Sequence, residues 1–171
     1  MDFFETVNRR GSYRGPYTAD QIPEADLRRI LDAAIKAPSG YNLQTTSFIV
    51  VTDEKLRRQI SEWMPSEATK SAPVILVVAS EHVEADGLSF EIEDYASATE
   101  TMLLAITALG YAAVWMDGDT KTDDNFKRIG KLLNLPPEKT VRTIVPVGVP
   151  AGEVRQNSRR AFDERVSWNK G

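Results

Sequence analysis

The sequence predicts a layered domain of the α/β or α+β kind, and three observations carry that expectation. Leu27, Ile30, Leu31, Ala34 and Ile35 recur at three-and-four spacing, the pattern of a helix with one buried face. Val74-Ile75-Leu76-Val77-Val78-Ala79 is apolar at every residue, which fits a strand covered on both faces and central in its sheet. Segments of these two kinds alternate along the chain, so sheet and helices should stack as layers around one core. The 171 residues suit a single domain, 1–171, with no internal repeat and no linker.

Taken in order, residues 2–8 read as a short helix with Phe3, Phe4 and Val7 on its apolar side. Gly15-Pro16 breaks the pattern. Pro23 suits the first turn of the next helix, where its missing N–H costs little, and Pro38 ends that helix. Ser47 to Thr52 reads as a buried strand from its β-branched content, and Asp53 to Met64 as a helix. Pro65 to Ala72 reads as loop, and Glu81 to Leu88, beyond the central strand, as an acidic loop. The longest helix covers Phe90 to Leu109, with Gly110 placed to cap it in a left-handed conformation. Tyr111 to Met116 is a third strand, followed by a polar turn at Asp117-Gly118-Asp119. Thr122 can cap a helix from Asp123 to Leu133, which Pro136-Pro137 stops. Thr140 to Val147 is a fourth strand, and from Pro150 the chain turns polar and Arg-rich.

Charge and composition exclude several classes. With 25 acidic and 21 basic residues, the net charge of −4 gives no pull toward nucleic acid or an anionic membrane. The absence of Cys rules out disulfides, thiolate metal sites and thiol catalysis. One histidine, His82, cannot supply a His-based metal cluster, and it reads as a surface residue of the acidic loop. No apolar run approaches about 18 residues and no basic-then-apolar leader opens the chain, so the expectation is a cytoplasmic protein.

The stretch from Arg9 to Gln44 carries the chemistry. Arg10, Gly11, Ser12 and Arg14 combine cationic forks, a hydroxyl and a flexible glycine, a set that suits a phosphate. Pro38-Ser39-Gly40-Tyr41-Asn42-Leu43-Gln44 places neutral amides after a helix, which suit the edge of a heterocycle better than an ion. Alone, the first set reads as solvated surface arginines and the second as turn residues bonding their own backbone. Glu91, Glu93, Asp94 and Glu100 read as a solvated helix face.

In that order, with one amphipathic helix between them, Arg10-Gly11-Ser12-Tyr13-Arg14 and Ala37-Pro38-Ser39-Gly40-Tyr41-Asn42-Leu43-Gln44 resemble the two opening motifs of the FMN-dependent nitroreductase family. The resemblance implies an α+β fold with a mixed central sheet flanked by helices. It also implies a homodimer with FMN at the subunit interface and a C-terminal arm, residues 150–171, that crosses onto the partner subunit. Arg10, Ser12 and Arg14 would meet the phosphate and ribityl chain, and Pro38, Ser39, Gly40, Asn42 and Gln44 the ring. Trp115 and Gly118 fall where relatives approach the flavin from a strand end, although Trp115 alone reads more simply as core. Arg159 or Arg160 resembles a late phosphate-binding arginine.

The implied activity is reduction of a nitroaromatic, quinone or similar small acceptor by NADH or NADPH in ping-pong turnover. The flavin does the hydride chemistry, so no side chain need act as general acid or base and no metal is required. Two departures leave room for a flavin- or nucleotide-binding module with little turnover. Thr45-Thr46 follow Gln44 where many relatives have proline, and Pro65 to Ala72 is too short for a helical lid.

Overall fold

The computed structural model describes residues 1–171. Its elements run α1 (Phe3–Arg9), α2 (Glu24–Ile35), β1 (Thr46–Val51), α3 (Glu54–Trp63), α4 (Glu67–Ser71), β2 (Val74–Glu81), β3 (Glu84–Ala85), β4 (Leu88–Ser89), α5 (Glu91–Ala108), β5 (Ala112–Ala113), α6 (Gly118–Lys121), α7 (Asn125–Leu132) and β6 (Lys139–Gly148). Single 3-10 turns lie at Gly40–Asn42 and Phe162–Glu164. No helix is long and apolar enough to cross a membrane.

Four strands form the main sheet in the order β1-β2-β6-β5, and each pair is antiparallel. The parallel contact is a single bridge, Ser12 to Ala113, which lays the N-terminal segment beside β5. β2 is central, as its composition requires, and its side chains divide by the two-residue period of a strand. Ile75 and Val77 point into a cluster with Ile60, Met64, Ala68, Ile129 and Ile144, from α3, α4, α7 and β6. Val74, Leu76 and Val78 point the other way, to Leu27, Ile30, Met102 and Ile106 of α2 and α5. The fold is therefore helices, sheet, helices. Each large apolar side chain fully buried in it contributes about 1.5–3 kcal/mol.

Local signals end the helices where they should. Asp53 caps α3 by accepting from Leu56 N at 3.0 Å. Gly110 takes φ +86° after α5, and two bonds close the Schellman motif there: Tyr111 N to Ile106 O (3.1 Å) and Gly110 N to Thr107 O (3.0 Å).

Five expectations change. Pro65 to Ala72 is not all loop, because Ser66 and Thr69 form a capping box that nucleates α4. The acidic loop contains the β3–β4 hairpin, turned by Asp86 (φ +53°) and Gly87 (φ +75°). The third strand is shorter than 111–116: pairing with β6 lapses at Val114 and Trp115 and resumes as a bridge from Met116 to Ile144. Gly118 begins the short helix α6 instead of sitting in a simple turn. Thr122 does not cap α7, which starts at Asn125 behind a left-handed Asp124 (φ +56°).

Ile144 is 0% exposed, on β6 and packed against α7. Ile144→Ala should cost about 2–5 kcal/mol in urea unfolding at fixed protein concentration, the range for a buried cavity.

Candidate functional site

The loop from Pro38 to Thr45 joins α2 to β1 and is bent by backbone geometry few residues adopt. Tyr41, Asn42 and Gln44 all have left-handed φ, +50°, +57° and +53°. The Ser39 hydroxyl accepts from Gln44 N at 3.0 Å and closes the bend. Asp94 of α5 then holds both ends. Its Oδ1 accepts from Gly40 N at 2.8 Å, and its Oδ2 accepts from the Thr45 hydroxyl at 2.7 Å. A Cβ at Gly40 would overlap the Phe90 ring, so glycine is required there for packing, although its own φ is not left-handed. Strained backbone of this kind persists only where its surroundings over-determine it, and it gathers at functional sites.

Beneath the loop lies a cleft of about 130 Å³, lined by α2 (Ala34, Ile35), the loop (Ala37, Pro38, Ser39, Gln44), β1 (Thr46, Phe48) and α5 (Asp94, Ala98). The Thr46 hydroxyl is buried in its wall with no hydrogen-bond partner. Ala34, Ile35, Phe48 and Ala98 give the cleft apolar surface, and Ser39, Gln44, Thr46 and Asp94 give it polar surface. Of the sequence-predicted loop residues, Pro38, Ser39 and Gln44 line the cleft, whereas Gly40 and Asn42 do not.

The arginine segment lies elsewhere. None of Arg10, Gly11, Ser12 and Arg14 lines this cleft. Arg10 is half-buried and pairs with Glu100 of α5 at 3.5 Å. Glu100 is two residues beyond Ala98, roughly 200° round the helix, and so leaves α5 on the side away from the cleft. Arg14 is exposed and pairs with no acid, unlike Arg9 and Arg10, which each hold a glutamate. Gly11 is needed for close approach, since a Cβ there would strike the Arg155 carbonyl.

The remaining candidates scatter. Trp115 packs edge-on against Tyr95 at 6.2 Å, and its buried Nε1 has no partner. Gly118 is exposed at the start of α6. The tail is last tied down where the Gln156 amide donates to Val7 O (3.0 Å) and Arg10 O (3.1 Å). Beyond it Arg159 and Arg160 are exposed, and Arg159 donates only to its own Asn157 and Ser158 carbonyls. One chain therefore assembles the loop cleft but brings neither the N-terminal nor the late arginines to it.

Reading the carboxylates of α5 as a solvated face fails for two of them. Asp94 is 3% exposed and Glu91 is buried. Asp94 stands on the same four-residue row as the buried Ala98, Met102 and Ile106, a signal that could have found it. Glu91 meets His82 Nδ1 at 2.9 Å, while the Arg142 guanidinium approaches to 3.8 Å. Arg142 is the extra residue of a β-bulge opposite Val78 and Ala79, which turns its Nε toward the Ser80 hydroxyl at 2.7 Å.

The Nitroreductase family model matches residues 7–71 and 61–149. A relative from Methanothermobacter thermautotrophicus, whose name pairs NADH dehydrogenase with NAD(P)H nitroreductase, is 32% identical over 172 residues, covering 99% of this chain and 88% of that protein. Iodotyrosine deiodinase of Thermotoga neapolitana is 29% identical over 173 residues, covering 86% of this chain and 88% of the relative. A Desulfovibrio desulfuricans structure solved in complex with FMN superposes with a TM-score of 0.84 at 25% identity, covering 100% of this chain and 98% of that one. Matches of this extent define an α+β oxidoreductase. The chain belongs to the nitroreductase family.

His82 and Glu91 make the stability of this corner depend on pH. The hydrogen bond to Glu91 raises the His82 pKa above its ordinary 6.5, so the contact stabilises fully below that value and is lost as pH rises through the raised one. The same bond lowers the Glu91 pKa below 4.5, so its contribution is present above that value and lost as pH falls through the lowered one. In thermal melts from about pH 5.5 to 8.5, the advantage of wild type over His82→Gln should shrink as pH rises. A gap constant across that range would contradict it.

Proposed function

We propose that this chain is an FMN-dependent NAD(P)H oxidoreductase that works as a homodimer on nitroaromatic, quinone or similar small acceptors, in ping-pong turnover. The observation that carries the reading is the strained, amide-bearing loop over a cleft of mixed apolar and polar lining, in a chain of this family. Bound FMN would supply the hydride chemistry, taking a hydride from the nicotinamide and passing it to the acceptor. The residues present fit that group. Ser39 and Gln44 of the lining, with Asn42 of the same loop, would offer donors and acceptors to a pyrimidine edge, and the Thr46 hydroxyl has unused hydrogen-bonding capacity in the cleft wall. Arg14 is uncommitted and can grip a phosphate, with Arg10 and Ser12 beside it.

A second copy is part of the proposal. The cleft of about 130 Å³ is smaller than the roughly 300–1,000 Å³ of pockets that enclose drug-sized ligands, so one chain does not wall in a flavin. Phe4 (75% exposed), Ile35, Tyr41 and Trp168 (78% exposed) leave apolar surface that a partner would cover. Paired chains would let the arginines of one complete the loop cleft of the other, with residues 150–171 as the crossing arm. The protein's part is then to bind the ring, orient it and exclude water around it.

The short α4 motivates the other reading, a flavin-binding module with little turnover, since five residues make no lid. Anaerobic addition of NADH or NADPH to the FMN-loaded protein separates the two. The oxidoreductase bleaches at once and the module stays yellow, whereas protein that takes up no FMN removes both. Arg14→Ala should weaken FMN binding by about 1.5–3 kcal/mol, the range for a hydrogen bond to a charged group. An unchanged Kd by fluorescence titration would remove Arg14 from the phosphate site.

A further inference from the structure

Asp94 is the buried charge at the cleft that the flavin chemistry, as so far described, leaves unused. It is the fourth residue of α5, near the positive end of the helix dipole, which favours a negative charge there. Both its oxygens accept, from Gly40 N at 2.8 Å and from the Thr45 hydroxyl at 2.7 Å, and Thr45 is itself only 1% exposed. An ionised carboxylate is acceptor-only, so this pair of donors matches that form. Gly40 and Thr45 bracket all three left-handed residues of the loop. One side chain thus spans the strained segment and lines the cleft it overhangs. Removing it would leave a buried hydroxyl and a backbone N–H to find other partners.

We infer that Asp94 is a positioning residue for the flavin: its carboxylate holds the loop of residues 39–45, with its left-handed Tyr41, Asn42 and Gln44, in shape, and its charge beside the ring lowers the flavin's reduction potential. The inference rests on the FMN reading above. Two separate effects follow from one group. The hydrogen bonds pre-organise the loop, which otherwise has several easier backbone conformations. The charge acts through a water-poor wall, where screening is weak, and opposes the negative charge that flavin gains on reduction.

Two variants separate the effects. Asp94→Asn keeps the shape and one acceptor for Gly40 N, while the Thr45 hydroxyl can turn to accept from the new amide. It should bind oxidised FMN within about threefold of wild type. Its affinity for reduced over oxidised FMN should rise at least tenfold, which lifts the two-electron midpoint potential by about 30 mV. Asp94→Ala loses both acceptors. It should speed hydrogen exchange at residues 40–45 of the FMN-free protein by at least tenfold and weaken FMN binding by at least tenfold, the lower end of what the loss of one hydrogen bond to a charge would cost.

A merely structural aspartate would not move the potential in the asparagine variant. If wild type binds FMN but the potential of Asp94→Asn is unmoved, or the loop of Asp94→Ala exchanges as in wild type, this inference falls alone. Wild-type protein that takes up no FMN would sink the flavin reading and this inference with it.

Discussion

β2 is bonded along both edges and covered on both faces, and the two helical layers follow from that constraint. A strand that buries both sets of side chains needs a helical layer on each side, because neither set tolerates water. α2 and α5 supply one layer, and α3, α4 and α7 the other. With β1 paired to one edge, the chain leaving α2 must turn back sharply to enter β1 beside α5. That turn is the Pro38–Thr45 loop. Its shape is thus a consequence of the central strand, stabilised locally by a carboxylate from α5.

The two halves of the candidate site differ in how they are held. The loop half is rigid in its own chain: strained φ values, an internal Ser39–Gln44 bond and a buried double acceptor leave it little freedom. The arginine half is fixed through its backbone, by the Ser12–Ala113 bridge and the Tyr13 N to Ala113 O bond at 2.9 Å, and through the buried Tyr13 ring and the Arg10–Glu100 pair. Of its charged ends, Arg10 is held by Glu100 and Arg14 is exposed and unpaired. The carbonyl of Arg155 lies so close to Gly11 that no side chain fits there, and the Gln156 amide donates to Val7 O and Arg10 O, so the start of the tail packs against the arginine segment.

Much of this was legible in the chain itself. The apolar run of β2 located the sheet centre, and the three-and-four spacing of α2 located one helical layer. Gly110 announced the end of α5, and the two opening motifs identified the family. Other features carry local signals as well. Ser66 and Thr69 sit at capping-box spacing, and Asp86-Gly87 is a hairpin dipeptide. The burial of Asp94 has one local signal, its place on the row of Ala98, Met102 and Ile106, but a carboxylate enters a core only with partners. Those partners, Gly40 and Thr45, lie 54 and 49 residues away. The break in β5 at Val114 and Trp115 also depends on distant packing, with Trp115 held against Tyr95 of α5. Local pattern reports what neighbours in sequence do, and these contacts are between neighbours in space.

The central claim is that a flavin completes, and is completed by, two copies of this chain. Native mass spectrometry of the protein loaded with FMN tests it most directly. The account predicts a dimer carrying two FMN molecules, with the flavin lost when the dimer is dissociated. A monomer that retains FMN, or a dimer that never acquires it, would contradict it.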